Sequence, residues 1–212
     1  MNYLADVGAL ARKDLLLELR ARDTVPAMLL FVVSTLVVFH FALPADSSDL
    51  AAAGLLWVAL LFTALLGLTR AFAAEREQGV LDGLVLAPSD RSAIWLGKAL
   101  SILAFLALAE VIALPAYALF FERVDGALIG GVALADLGIA AVGTLLAAMA
   151  AASRARELLL PLLFLPLAIP IVVGGAGASV APEPARYLGL LALYDALFAI
   201  ICWASFEYVV TE

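Results

Sequence analysis

Apolar residues run almost without interruption along this chain, and its organisation lies in where polar residues break in. Long apolar runs occupy about 25–43, 51–69, 99–121, 127–152, 157–177 and 187–208. Between them stand PADSSD at 44–49, a charged break from Arg70 to Lys98, ERVDG at 122–126, SRARE at 153–157 and APEPAR at 181–186. A bilayer core of roughly 30 Å takes about 20 apolar residues of helix, whereas barrel strands need only about 9–11. Runs of this length predict an all-α chain with six transmembrane helices, forming a single transmembrane domain over 1–212.

Two segments outside the spans carry helical patterns of their own. Over about 4–22, Leu4, Val7, Ala11, Leu15 and Leu19 recur at spacings of three and four and share one face, with Asp6, Lys13 and Arg20 elsewhere on the wheel. Charges interrupt the apolar stretch and no small-residue cleavage site follows, so the segment reads as a helix along the membrane interface rather than a secretory signal. Within the long break, over about 70–91, Glu75, Gln78 and Asp82 fall on one side of a helix and Val80, Leu81, Leu84 and Val85 on the other. An amphipathic element of this kind, ended by Ala87 and Pro88, suits contact with a partner outside the membrane. Glu77 falls toward its apolar side and calls for a cationic or hydrogen-bonding partner.

Composition strengthens the membrane assignment: 66% of residues are hydrophobic and 15% charged, with a mean hydropathy of +1.11, against about half apolar and a quarter charged in soluble domains. The charge distribution adds orientation. Ten of the twelve basic residues lie in the N-terminal segment, the 70–98 break and the 153–157 break, and only Arg123 and Arg186 lie in the alternate breaks. The positive-inside rule then places both termini and the long break in the cytoplasm. A net charge of −7 argues against nucleic acid as a partner.

The pattern E-x-E-x-G-x-L-D-x-L-x-x-x-P, from Glu75 through Gly79, Leu81, Asp82 and Leu84 to Pro88, resembles the signature of ABC-2 type permeases. KDLLLELR at 13–20, six spans in 212 residues, and the proline-rich LLLPLLFLPLAIPIVV at 158–173 are similar to the haem exporter B (CcmB) family of the cytochrome c maturation system. The resemblance implies an ABC-2 exporter fold with an interfacial N-terminal helix and a cytoplasmic coupling helix. It also implies a non-catalytic subunit beside a CcmA-like ATPase and CcmC-like and CcmD-like membrane proteins, with ATP used to deliver haem or release the haem-loaded chaperone CcmE. Glu75, Glu77, Gly79, Asp82 and Pro88 are then the ATPase contact. The alternative is an ABC-2 export permease for a lipid-like or other substrate, working with a second copy of itself.

The residues are consistent with a chain that depends on a partner for energy. No G-x-x-x-x-G-K-[ST] occurs, so ATP belongs to the partner subunit. GGAGAS at 174–179 lacks the lysine and reads as a flexible exit from the fifth span. Haem is expected as handled substrate with no cofactor held directly; His40, the only histidine, is the candidate haem contact near the outer end of the first span. No metal-ligand spacing is present, and Cys202 reads as packing. Glu110, Asp136 and Asp195 lie inside spans three, four and six, where each costs about 2.5–3.5 kcal/mol on insertion scales. They are candidate polar sites, for helix-to-helix bonding, proton relay or a polar passage. An intramembrane enzyme built on them lacks any nucleophile–base pair. Pro161, Pro166 and Pro170 predict a kinked or partly unwound fifth span.

Overall fold

The computed structural model describes residues 3–21, 24–44, 49–72, 90–121, 124–153 and 155–211. These form seven helices: α1 (Tyr3–Ala21), α2 (Thr24–Ala42), α3 (Asp49–Arg70), α4 (Arg91–Phe121), α5 (Gly126–Ala152), α6 (Arg156–Val180) and α7 (Pro184–Thr211). Each of α2 to α7 is long and apolar enough to cross a membrane. The chain is a multi-pass, all-helical membrane protein. Large apolar side chains stand bare on the outside of the bundle, among them Leu30, Phe41, Leu119, Leu158, Leu162 and Leu193, a surface that water would penalise and lipid accepts.

The central helix is α5, which packs against α3, α4, α6 and α7. Its small side chains permit this close company. Asp125 starts it, its carboxylate accepting a 2.7 Å hydrogen bond from the Leu128 amide, which satisfies one of the first-turn donors. At the other extreme α2 buries a single stripe, Met28, Val32 and Leu36, against α3 and α4.

Three expectations meet corrections. The fourth helix begins at Arg91 and not near 99, so Trp95 and Lys98 lie within it, because its first two turns are covered by α1. The proline-rich fifth span is not unwound: α6 is helical from Arg156 to Val180 through all three prolines, with Leu160, Phe164, Ala168 and Ile171 forming a continuous buried stripe. The glycine-rich stretch at its end is no flexible exit either. A side chain on Gly175 would collide with the Trp57 ring, whose Nε1 donates to Ser179 Oγ at 3.0 Å. Glycine is used there for close helix approach, not for freedom.

The N-terminal helix splits its expected stripe. Val7 and Ala11 are buried, together with Asp14, while Leu4 and Leu19 remain exposed. The buried side packs along the start of α4, where a Cβ on Gly97 would lie 2.8 Å from that of Leu10.

Candidate functional site

Lys98 stands seven residues into α4, about 10 Å along its axis, and only 5% of its side chain is exposed. A lysine so enclosed needs partners for its charge. Its Nζ lies 3.1 Å from Asp14 Oδ2 on α1, donates to the Ala71 carbonyl at 2.6 Å, and sits 4.7 Å from the centre of the Phe72 ring. Asp14 also meets Lys13 at 3.0 Å. Ser101, one turn further along α4, has its hydroxyl 2.9 Å from the Gly97 carbonyl and 3.2 Å from that of Ala11. One lysine thus joins α1, α4 and the chain leaving α3.

That junction lies at the edge of the long polar break. Glu75, Glu77, Gly79, Asp82 and Pro88, the residues of the expected ATPase contact, lie outside the described residues, but Ala71 and Phe72 lead directly into their segment. On its far side Asp90 caps α4, accepting from the Ser92 amide at 2.9 Å and the Ser92 hydroxyl at 2.8 Å. These two donors hold the Asp90 carboxyl below the ordinary carboxylate range. Ser92 in turn lies 3.2 Å from the Tyr3 hydroxyl, and Arg91 Nη1 lies 3.1 Å from Glu207 Oε1 on α7.

The intramembrane acids divide into a pair and a single group. Glu110 of α4 and Asp136 of α5 meet at one small cavity. They border a cavity of about 20 Å³ enclosed with Trp57, Thr63 and Ile171, roomy enough for one water. Sequence reasoning treated the two as separate. A signal for their meeting was present: Glu110 precedes the end of α4 by eleven residues and Asp136 follows the start of α5 by ten, so a tight connection between antiparallel helices brings them to one depth. Asp195 is elsewhere, on α7, beside another cavity. Among the described residues neither of its oxygens has a hydrogen-bond partner, and the adjacent Tyr194 hydroxyl donates to the Leu167 carbonyl of α6 at 2.8 Å instead.

The buried ion pair carries no sequence signal, because Lys98 and Asp14 are far apart in the chain and hydropathy groups Lys98 with the cations of the polar break. His40 is exposed at the end of α2, its ring 5.1 Å from that of Phe120 and 5.9 Å from that of Phe121. Cys202 is buried. Among the described residues no cluster of three or more His, Cys, Asp or Glu side chains is placed to hold a metal ion.

Residues 6–206 match the family described as CcmB protein. The chain is 30% identical over 205 residues to a Heme exporter protein B of Bradyrhizobium diazoefficiens, covering 94% of this chain and 90% of that protein. It is 33% identical over 207 residues to that of Paracoccus denitrificans, covering 93% and 95%, and 34% identical over 173 residues to that of Rhodobacter capsulatus, covering 79% of each. A match along nearly the whole chain, on a bundle of six long apolar helices, leads to one conclusion: the chain belongs to the CcmB family.

Proposed function

We propose that this chain is the membrane subunit through which a CcmA-like ABC ATPase drives haem delivery, or release of the haem-loaded chaperone CcmE, in cytochrome c maturation. CcmC-like and CcmD-like proteins are its membrane neighbours, and the bacterial inner membrane its location, with both termini cytoplasmic. The observation that carries the reading is the Lys98 junction. Lys98 holds Asp14 of α1 and the carbonyl of Ala71 at once, so displacement of the segment after Phe72 passes into α1 and α4 together. The excess of basic residues in the N-terminal segment and in that break supports placing the junction on the cytoplasmic side. Haem is the substrate of the assembly, following the name of the relatives, and ATP is bound by the partner chain.

In this reading Glu75, Glu77, Gly79, Asp82 and Pro88 meet the ATPase, and the Glu110–Asp136 pair bonds α4 to α5. No step of it uses His40. Co-purification of the ATPase with wild type and with a Glu75→Ala, Glu77→Ala variant tests the docking role. At least a tenfold loss of bound ATPase is expected at equal membrane levels of the two proteins. Undiminished association, with maturation intact, removes both carboxylates from that role.

A further inference from the structure

The Asp14–Lys98 pair fixes how α1 is turned. With Asp14 held against α4 and Val7 and Ala11 buried on the same side, the opposite face of α1 is left outside. Among the described residues, its exposed side chains include Leu4 at 73%, Leu16 at 53% and Leu19 at 53%, together with Arg12 and Arg20, and the others are alanine and glycine only. From Leu4 to Arg20 they fall within about 160° of the helical wheel. No acid is among them: Asp14 is buried, Asp6 is half-buried, and Glu18 lines the cavity shared with Lys98 and Arg70. In a chain of net charge −7, a face of leucine and arginine with no acid and no neutral polar side chain suits neither water nor the hydrocarbon interior.

Two features of the fold put this face at the membrane surface. The helix α4 is 31 residues long, about 46 Å, against a hydrocarbon core of roughly 30 Å. Its polar first turns, with Arg91, Ser92 and Lys98, therefore reach the headgroup layer, and α1 flanks them. Only two residues separate the end of α1 at Ala21 from the start of α2 at Thr24, so Leu16, Leu19 and Arg20 are held at the level where the chain enters the bilayer.

We propose that α1 rests this face on anionic lipid, with the three leucines in the headgroup boundary and Arg12 and Arg20 each taking a lipid phosphate. Charge complementarity and continuity with the bare apolar surface of the bundle select this occupant. An arginine lays its methylenes along apolar neighbours and keeps its guanidinium in the polar layer, where it grips phosphate with two parallel hydrogen bonds. Basic residues on an interfacial helix strengthen its attachment to anionic lipid, whereas zwitterionic lipid accepts the leucines and brings no net charge to the two cations. The membrane side of α1 is thus not the stripe through Val7 and Ala11, which α4 takes up, but the one beside it. The contact stands independently of the coupling role given to Lys98.

The test places the full chain in lipid nanodiscs made of phosphatidylcholine alone or with a third of it replaced by phosphatidylglycerol. A nitroxide is attached at Leu16→Cys or, as control, at Leu162→Cys on the bare surface of α6, where Leu162 is 68% exposed. Cys202 is buried, and the unsubstituted chain gives its background labelling. Collisions of the nitroxide with oxygen report hydrocarbon, and collisions with a neutral nickel chelate report water. Phosphatidylglycerol should lower the nickel-to-oxygen ratio at position 16 at least about threefold, and the Arg12→Gln, Arg20→Gln variant should remove most of that change. Position 162 should be the same in every sample. Equal ratios at position 16 in the two lipids, or the same response in the double variant, overturn the proposal. So does a label that stays in water in both lipids until the ATPase is added, which assigns the face to that partner. Both leaflets of the disc have one composition, so the outcome does not depend on which side is cytoplasmic, and its failure leaves the coupling reading standing.

Discussion

Asp14 and Asp195 are equally buried, each 9% exposed, and the chain treats them in opposite ways. Asp14 is held by Lys98 at 3.1 Å and Lys13 at 3.0 Å, and its ion pair joins three parts of the chain at the edge of the bundle. Among the described residues, no donor reaches either oxygen of Asp195. A buried charge completed from within fixes helices to one another. One left incomplete adds cost to the isolated chain, and a natural protein keeps such a cost where function needs it.

The comparison predicts opposite signs for parallel substitutions. Asp14→Leu takes from the enclosed Lys98 the carboxylate that stands 3.1 Å from its Nζ, and should destabilise the protein by about 3–5 kcal/mol, read as a lower midpoint in denaturant or a lower Tm in detergent. The double variant Asp14→Leu, Lys98→Met, which removes both charges, should recover to within about 1.5 kcal/mol of wild type. A harmless Asp14→Leu would show that the ion pair does not hold α1 to α4, and the contrast with Asp195→Leu, expected neutral or stabilising, would disappear.

The smallest effect concerns Asp90, an exposed acid completed by its own helix. Its folded carboxyl is held below the unfolded value of 3.8 by the Ser92 donors, so its contribution is present above the ordinary carboxylate range and fades as pH falls through the lower folded value. Asp90→Ala should cost about 0.5–1 kcal/mol at neutral pH. A titration of stability should show that this difference shrinks below about pH 4; a difference constant down to pH 2 contradicts the capping account.

Much of the architecture was legible because apolar run length is a direct consequence of bilayer thickness. Six runs predicted six spans, and six long apolar helices are present. What escaped were matters of contact. The polar start of α4, with Ser92 and Lys98, looks like loop in a hydropathy reading, yet α1 covers it and it is helical. GGAGAS looks flexible by composition, but in α6 its glycines face Trp57, Leu191 and Tyr187, and packing overrides propensity. Of the candidate site residues, Glu110 and Asp136 came together across a connection that sets them at equal depth, which spacing does encode. Nothing in the sequence encodes that Asp14 finds Lys98 or that Asp195 finds no donor, because both depend on how helices distant in the chain are rotated against each other.

The central claim is that Lys98 carries motion from the segment after Phe72 into α1 and α4. Its most direct test is cytochrome c maturation in cells expressing Lys98→Met, with membrane level and bound ATPase measured in the same preparation. Asp14 keeps Lys13 in this variant, which limits the loss of stability. The account predicts that subunit level and ATPase association stay within about twofold of wild type, while maturation falls at least tenfold, about 1.4 kcal/mol of coupling. Wild-type maturation at normal subunit level would contradict it.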